Sequence, residues 1–127
     1  MGYTRYWKRT EEKITQEFID DVNAILEDCK RKGIRIRDGW GENEPIVTLN
    51  EVYINGNAEK GLDHETFAID NEPSDFEFCK TARKPYDYAV RKILAKAKKY
   101  GLVTDVRSDD REQDKVVRSD AEYLGEN

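Results

Sequence analysis

Residues 10–32 place Ile14, Phe18, Val22, Ile25 or Leu26, and Cys29 at spacings of three and four, which draws one apolar stripe along a helix. Such a face must be buried against a second layer, so the rest of the chain has to supply one. Thr10 is placed to cap this helix. Glu11 and Glu12 suit its first turn, Lys30, Arg31 and Lys32 its last, and Gly33 its stop. A second stripe of Ala89, Val90, Ile93, Leu94 and Ala97 follows Pro85 and ends at Gly101. Around these helices run short strand-like segments at 34–37, 51–54, 65–69, 76–80 and 102–106. Turn-rich sequence at Gly39-Trp40-Gly41, Asn43-Glu44-Pro45, Asn55-Gly56-Asn57 and Lys60-Gly61 separates them. The order predicts one α+β domain over residues 1–108, an antiparallel sheet of about 4–6 short strands with two helices packed on it. An acidic, loosely held tail is expected over 109–127.

The core of such a domain has to be lean, because only 37% of residues are hydrophobic while 39% are charged. Aromatics at 10% and the periodic apolar segments still argue against disorder. No apolar run is long enough to cross a bilayer, no secretory signal is evident, and Cys29 and Cys79 form no CxxC pair. A cytoplasmic protein with two reduced thiols is expected, with no cofactor and no metal site. Cys29, on the helix stripe, reads as core.

Net charge is −5, unevenly spread. Residues 34–79 carry eleven acids against three bases, whereas residues 80–99 carry eight bases against Asp87 alone. An acidic body with one basic island is a poor partner for long nucleic acid and suits a compact anion better. Lys92, Lys96 and Lys99 within the island read as a solvated helix face.

The sharpest feature is Phe78-Cys79-Lys80-Thr81-Ala82-Arg83-Lys84-Pro85-Tyr86-Asp87. Proline suits the first helical position, but the preceding Lys84 has no acceptor for the free N–H groups of a helix start. With Lys80, Arg83 and Lys84 alongside, that start is expected either to bind a phosphate or to be neutralised by Asp87 or another acid. Tyr86 and the head Tyr3-Thr4-Arg5-Tyr6-Trp7 offer rings and a guanidinium on which a nucleobase can stack, or else aromatics that pin a terminal strand to the sheet. Trp40 is either a ligand lid or a loop anchor. His64, the single histidine, cannot build a His-rich metal site. With Glu65 and Thr66 it supplies polar ligand contacts, a proton-transfer pair, or simply a strand start.

At these residues the sequence resembles a family of small, mostly uncharacterised phage and prophage proteins. The shared pattern is a GYT-x-YW head (residues 2–7), a Gly- and Pro-containing loop (39–45), an HETF-like segment (64–67) and an FCKT-x-RKPYD block (78–87). Arg5 departs from it, standing where the family commonly has histidine; a proton-transfer role for that position would be lost, an anion-binding role kept. The resemblance implies a phage-type protein and, by analogy of class, an anti-defence protein.

No Walker loop, GxGxxG, serine elbow or paired-aspartate motif is present, which favours binding over turnover. The expected function is sequestration of a phosphate-containing nucleotide immune signal, a cyclic nucleotide or ADP-ribose derivative. Lys80, Thr81, Arg83 and Lys84 would hold phosphate; Tyr3, Tyr6, Trp7 and Tyr86 would stack; Arg5, His64, Glu65, Thr66 and Asp87 would read hydroxyls or base edges. A homodimer is a possible assembly. The alternatives are a phosphodiesterase-like enzyme acting on the same nucleotide, and an acidic inhibitor that binds a host enzyme.

Overall fold

A computed structural model describes residues 2–111 and 115–126. In chain order its elements are β1 (Thr4–Arg9), α1 (Gln16–Arg31), β2 (Ile46–Val47), β3 (Glu51–Ile54), a 3₁₀ turn at Ala58–Lys60, β4 (Phe67–Asp70), β5 (Ser74–Lys80), α2 (Asp87–Lys99), β6 (Val103–Ser108) and α3 (Asp120–Leu124). The chain is a single α+β domain, as the periodicities predict. Its strands divide into two antiparallel sheets, ordered β5-β1-β6 and β2-β3-β4. The ring of Trp7 in β1 meets that of Phe67 in β4 at 5.3 Å between centroids, which joins the sheets. Phe18, Val22 and Cys29 from α1 and Ala89, Val90, Ile93, Leu94 and Ala97 from α2 complete one continuous core.

Local chemistry explains where the elements start. The first helix begins at Gln16 instead of Thr10, because Thr15 is its cap and accepts from the Phe18 N–H at 3.2 Å. Thr10 donates instead to the carbonyl of Gly101 at 2.6 Å, and Asn71 takes the Ile14 N–H at 2.9 Å. The alternating 34–37 segment forms no strand; it makes one antiparallel bridge, Arg37 to Asn55. Asp38 then turns the chain, accepting from the N–H groups of Trp40, Glu42 and Asn43. These donors hold its carboxyl below the usual carboxylate range. Gly56 is required where it stands, since a Cβ there would lie 2.0 Å from the Leu62 carbonyl oxygen. The tail is tied back at its far end: the Asp120 N–H donates to the Gly33 carbonyl at 3.0 Å, and Ser119 and Glu122 form a capping box on α3.

No helix among the described residues is long and apolar enough to cross a membrane. Both cysteines are free and buried, and burial pushes the Cys29 and Cys79 thiols up to about 12. Neither forms appreciable thiolate at neutral pH. In the native state both should therefore resist a thiol-specific disulfide reagent at pH 8, and two thiols per chain should react after unfolding in guanidinium. Fast labelling of the native protein would contradict this packing.

Candidate functional site

The sequence blocks singled out above meet at the start of α2. Arg5 and Asp87 are both buried and pair bidentately, Nε to Oδ1 at 2.7 Å and Nη2 to Oδ2 at 2.8 Å. The Thr81 hydroxyl donates to Asp87 Oδ1 at 2.7 Å. The Thr81 N–H donates to the Tyr3 carbonyl at 3.0 Å, and the Arg83 guanidinium lies 5.2 Å from the centre of the Tyr3 ring. From the 64–67 segment, the Glu65 carboxylate accepts from the Lys80 N–H at 2.7 Å and its carbonyl accepts from the Tyr86 hydroxyl at 2.6 Å. Head, HETF segment and FCKT block are thus one hub.

That hub is closed on itself. Tyr3, Tyr86 and Thr81 are wholly buried and Trp7 nearly so, which leaves three of the four rings expected as stacking surfaces, Tyr3, Trp7 and Tyr86, no free face. Asp87 faces inward to Arg5. Arg83 also reaches Asp110 at 3.4 Å, while Lys84 donates to the Gly61 carbonyl at 2.8 Å. The helix start itself has no side-chain cap and falls at Tyr86, with Pro85 in the preceding turn. Ala82 and Arg83 sit at φ 54° and 60°, and the Lys84 N–H donates to the Thr81 carbonyl, the φ pattern of a type I′ turn built without Asn or Gly. The crevice beside it, lined by Arg83, Lys84, Asp87 and Arg118, encloses about 10 Å³, room for one water and not for a nucleotide.

His64 and Thr66 are exposed, but their polar contacts serve the fold. Asn55 bonds both backbone groups of His64, and the Thr66 hydroxyl donates to the Gly39 carbonyl at 2.6 Å. Trp40 is 80% exposed at the tip of the Asp38 turn, a presented ring in place of a buried anchor. No group of three or more His, Cys, Asp or Glu able to hold a metal occurs among the described residues.

What the hub leaves open is the outer face of the β5-β1-β6 sheet. β1 turns Arg5, Trp7 and Arg9 into the core and Tyr6 and Lys8 outward. Its register sets Tyr6 opposite Phe78 and Arg5 opposite Cys79, so β5 buries Cys79 and displays Phe76, Phe78 and Lys80. Phe76 and Phe78 are 52% and 47% exposed, with ring centroids 5.7 Å apart, and Tyr6 lies 6.0 Å from Phe76. On the β6 side the register shifts between Tyr6 and Lys8, and Asp105 takes φ 53° there. Arg107 thereby faces Tyr6, its guanidinium 4.9 Å from the ring centre. The Tyr6 phenol donates to Asp109 at 2.8 Å, and that bond raises its pKa above the ordinary tyrosine value. Lys80 lies 5.9 Å from the Phe78 ring centre. The result is an exposed patch of three rings bordered by Lys8, Lys80 and Arg107. Tyr6 and Lys80 were legible as candidates; Phe76, Phe78, Lys8 and Arg107 were not, because strand alternation alone does not say which set faces out.

Comparison of the chain with protein-family models, curated proteins and solved structures returns no match.

Proposed function

We propose that this protein is a nucleotide-binding protein that sequesters its ligand without turnover, and that the outer face of the β5-β1-β6 sheet is where the ligand sits. The observation that carries the reading is the run of Tyr6, Phe76 and Phe78 rings in mutual contact on an exposed sheet face, edged by Lys8, Lys80 and Arg107. Contiguous exposed aromatics mark interaction sites, and flat π-faces beside cations match the two chemistries of a nucleotide, base and phosphate. Stacking supplies about 1–3 kcal/mol per base. Each charge-assisted hydrogen bond to phosphate adds about 1.5–3 kcal/mol. The acidic body disfavours long strands, which leaves compact nucleotides such as cyclic dinucleotides or ADP-ribose derivatives as the ligand class. In a phage-type protein, such capture would silence a nucleotide immune signal. Two copies closing face to face would enclose the ligand, which is how a homodimer enters this reading.

Calorimetric titration with a cyclic dinucleotide, ADP-ribose and hexathymidylate tests it. Saturable binding of at least one small nucleotide is expected, weakened tenfold or more in folded protein carrying Phe76→Ala with Phe78→Ala. Heating the complex should release the nucleotide intact. Equal affinity in the double variant, no binding of either small nucleotide, preference for the oligonucleotide, or a cleaved product would each overturn the proposal.

A further inference from the structure

Trp40 belongs to neither the hub nor the aromatic sheet face. A single apolar side chain at a surface needs no explanation of its own. This ring differs in being held out by a fixed backbone. Its turn closes on Asp38, whose N–H donates to the Asn43 carbonyl and whose carbonyl accepts from the Gly41 N–H, both at 2.9 Å. The Asp38 carboxylate takes the Trp40 and Glu42 N–H groups at 3.1 Å and that of Asn43 at 3.3 Å. Below the tip, the Gly39 carbonyl accepts from Asn55 and Thr66, and the Gly41 carbonyl accepts from the Ala58 N–H at 3.0 Å. Gly41 lets the turn seat closely, because its φ is 75° and a Cβ there would stand 2.8 Å from the Gly56 carbonyl oxygen. Trp40 thus presents its indole at 80% exposure with little backbone freedom left to lose on binding.

Charge around the ring selects the partner. The turn and the segments bonded to it carry Glu42, Glu44 and Glu59, all exposed, and Glu65, half-buried. Against them stand Lys60, which is exposed, and Arg37, whose side chain is 16% exposed and faces Glu44 at 3.7 Å. Such a surround repels the phosphates of nucleic acid and of anionic bilayers. It attracts cations instead, and indole is the best ring for a cation–π contact, most often with arginine. Tryptophan is also among the residues that dominate the energetics of protein interfaces. One guanidinium can lie flat on the ring while its neighbours pair with the carboxylates.

We propose that Trp40 is the anchor of a protein-docking site, and that its partner is a protein segment carrying clustered arginines. The ring takes one guanidinium, and Glu42, Glu44 and Glu59 take the flanking charges. The site is separate from the β5-β1-β6 face and does not rest on the nucleotide reading.

Acrylamide quenching of tryptophan fluorescence with a nona-arginine peptide tests the assignment. Trp7 is 3% exposed, so the quencher reports on Trp40. The peptide should bind saturably, shield Trp40 from the quencher, and bind more weakly as salt is raised. Nonalysine should bind at least threefold more weakly, and nonaglutamate should not bind. In calorimetry Trp40→Ala should weaken nona-arginine binding tenfold or more. That variant keeps the fold, since only the backbone of Trp40 is bonded into the turn. Glu42→Gln with Glu44→Gln should cost at least threefold, and the Phe76→Ala, Phe78→Ala double variant should bind as the wild type does. No saturable binding of nona-arginine, unchanged affinity in Trp40→Ala protein, or equal binding of nonalysine overturns the proposal. So does shielding of Trp40 by hexathymidylate, by phosphatidylserine vesicles or by raising the concentration of the protein alone, which would assign the ring to nucleic acid, membrane or a second copy.

Discussion

Replacing Asp87 by alanine is expected to destabilise the protein by about 3–5 kcal/mol, the usual cost of removing one partner from a buried ion pair. The side chains of Arg5 and Asp87 are 5% and 4% exposed, so water cannot readily take the place of the lost carboxylate. The substitution leaves the Arg5 charge inside the fold and takes from the Thr81 hydroxyl its acceptor. Since whole-domain stabilities run at about 5–15 kcal/mol, much of the folding free energy would go. Asp87→Asn should cost less, because the amide keeps an acceptor of the same shape. The double replacement Arg5→Met with Asp87→Leu should be closer to wild type than either single loss of charge, since it leaves no buried ion behind. Urea titrations of the four proteins check the series, and a loss below about 1 kcal/mol in Asp87→Ala would remove the pair from any account of how head and α2 are joined. Folded Asp87→Asn protein also separates two locations for a nucleotide. Affinity should be unchanged if the sheet face is the site and altered if the α2 start is.

The same pair shows where sequence reading ends. That Arg5 and Asp87 both matter is visible in the blocks that contain them, and neutralisation of the α2 start by Asp87 or another acid was one of two open alternatives. Their meeting is a contact across 82 positions, set by the docking of β1 beside β5, and nothing local encodes it. Elements decided by nearby chemistry were legible: Glu51–Ile54 forms a strand, and both amphipathic stripes form helices. Thr10 and Thr15 are equally good caps by composition, and tertiary bonds to Gly101 and Asn71 choose between them. The outward set on β5 was illegible for a related reason. A one-residue slip in register would bury Phe76 and Phe78 and expose Cys79, and the partner strand alone fixes which occurs. A candidate binding face can therefore hide in a strand whose existence is plain.

The exposed Trp40 turn depends on a residue with no such signal, and Asn55→Ala should be as damaging as loss of Asp87. Asn55 is 2% exposed and uses its whole side-chain capacity. Nδ2 donates to the carbonyls of Gly39 at 3.2 Å and His64 at 3.0 Å, while Oδ1 accepts from the N–H groups of Gly56 at 2.8 Å and His64 at 3.0 Å. Removing the amide takes a bond from four backbone groups; the Gly39 carbonyl keeps the Thr66 hydroxyl, and the other three are each worth about 1–3 kcal/mol when left buried and unpaired. Water entering the gap recovers part of that, so a net loss of about 3–5 kcal/mol is expected. Asn55→Asp sharpens the test because it keeps the shape and reverses one half of the chemistry. The carboxylate still accepts from Gly56 and His64, but its other oxygen would face two carbonyls it cannot bond. Those carbonyls and the burial would raise the folded-state pKa of the new acid. A raised carboxyl pKa makes the charged form the destabilising one, so Asn55→Asp protein should gain stability relative to wild type as pH falls through that raised value, and lose it as pH rises. The alanine variant should show no such relative trend. Amide hydrogen exchange at Trp40, Gly41 and His64 reports the local consequence: protection should fall there first. Nucleotide binding at the β5-β1-β6 face should be unchanged in folded Asn55→Ala protein, since β1, β5 and β6 make none of these bonds.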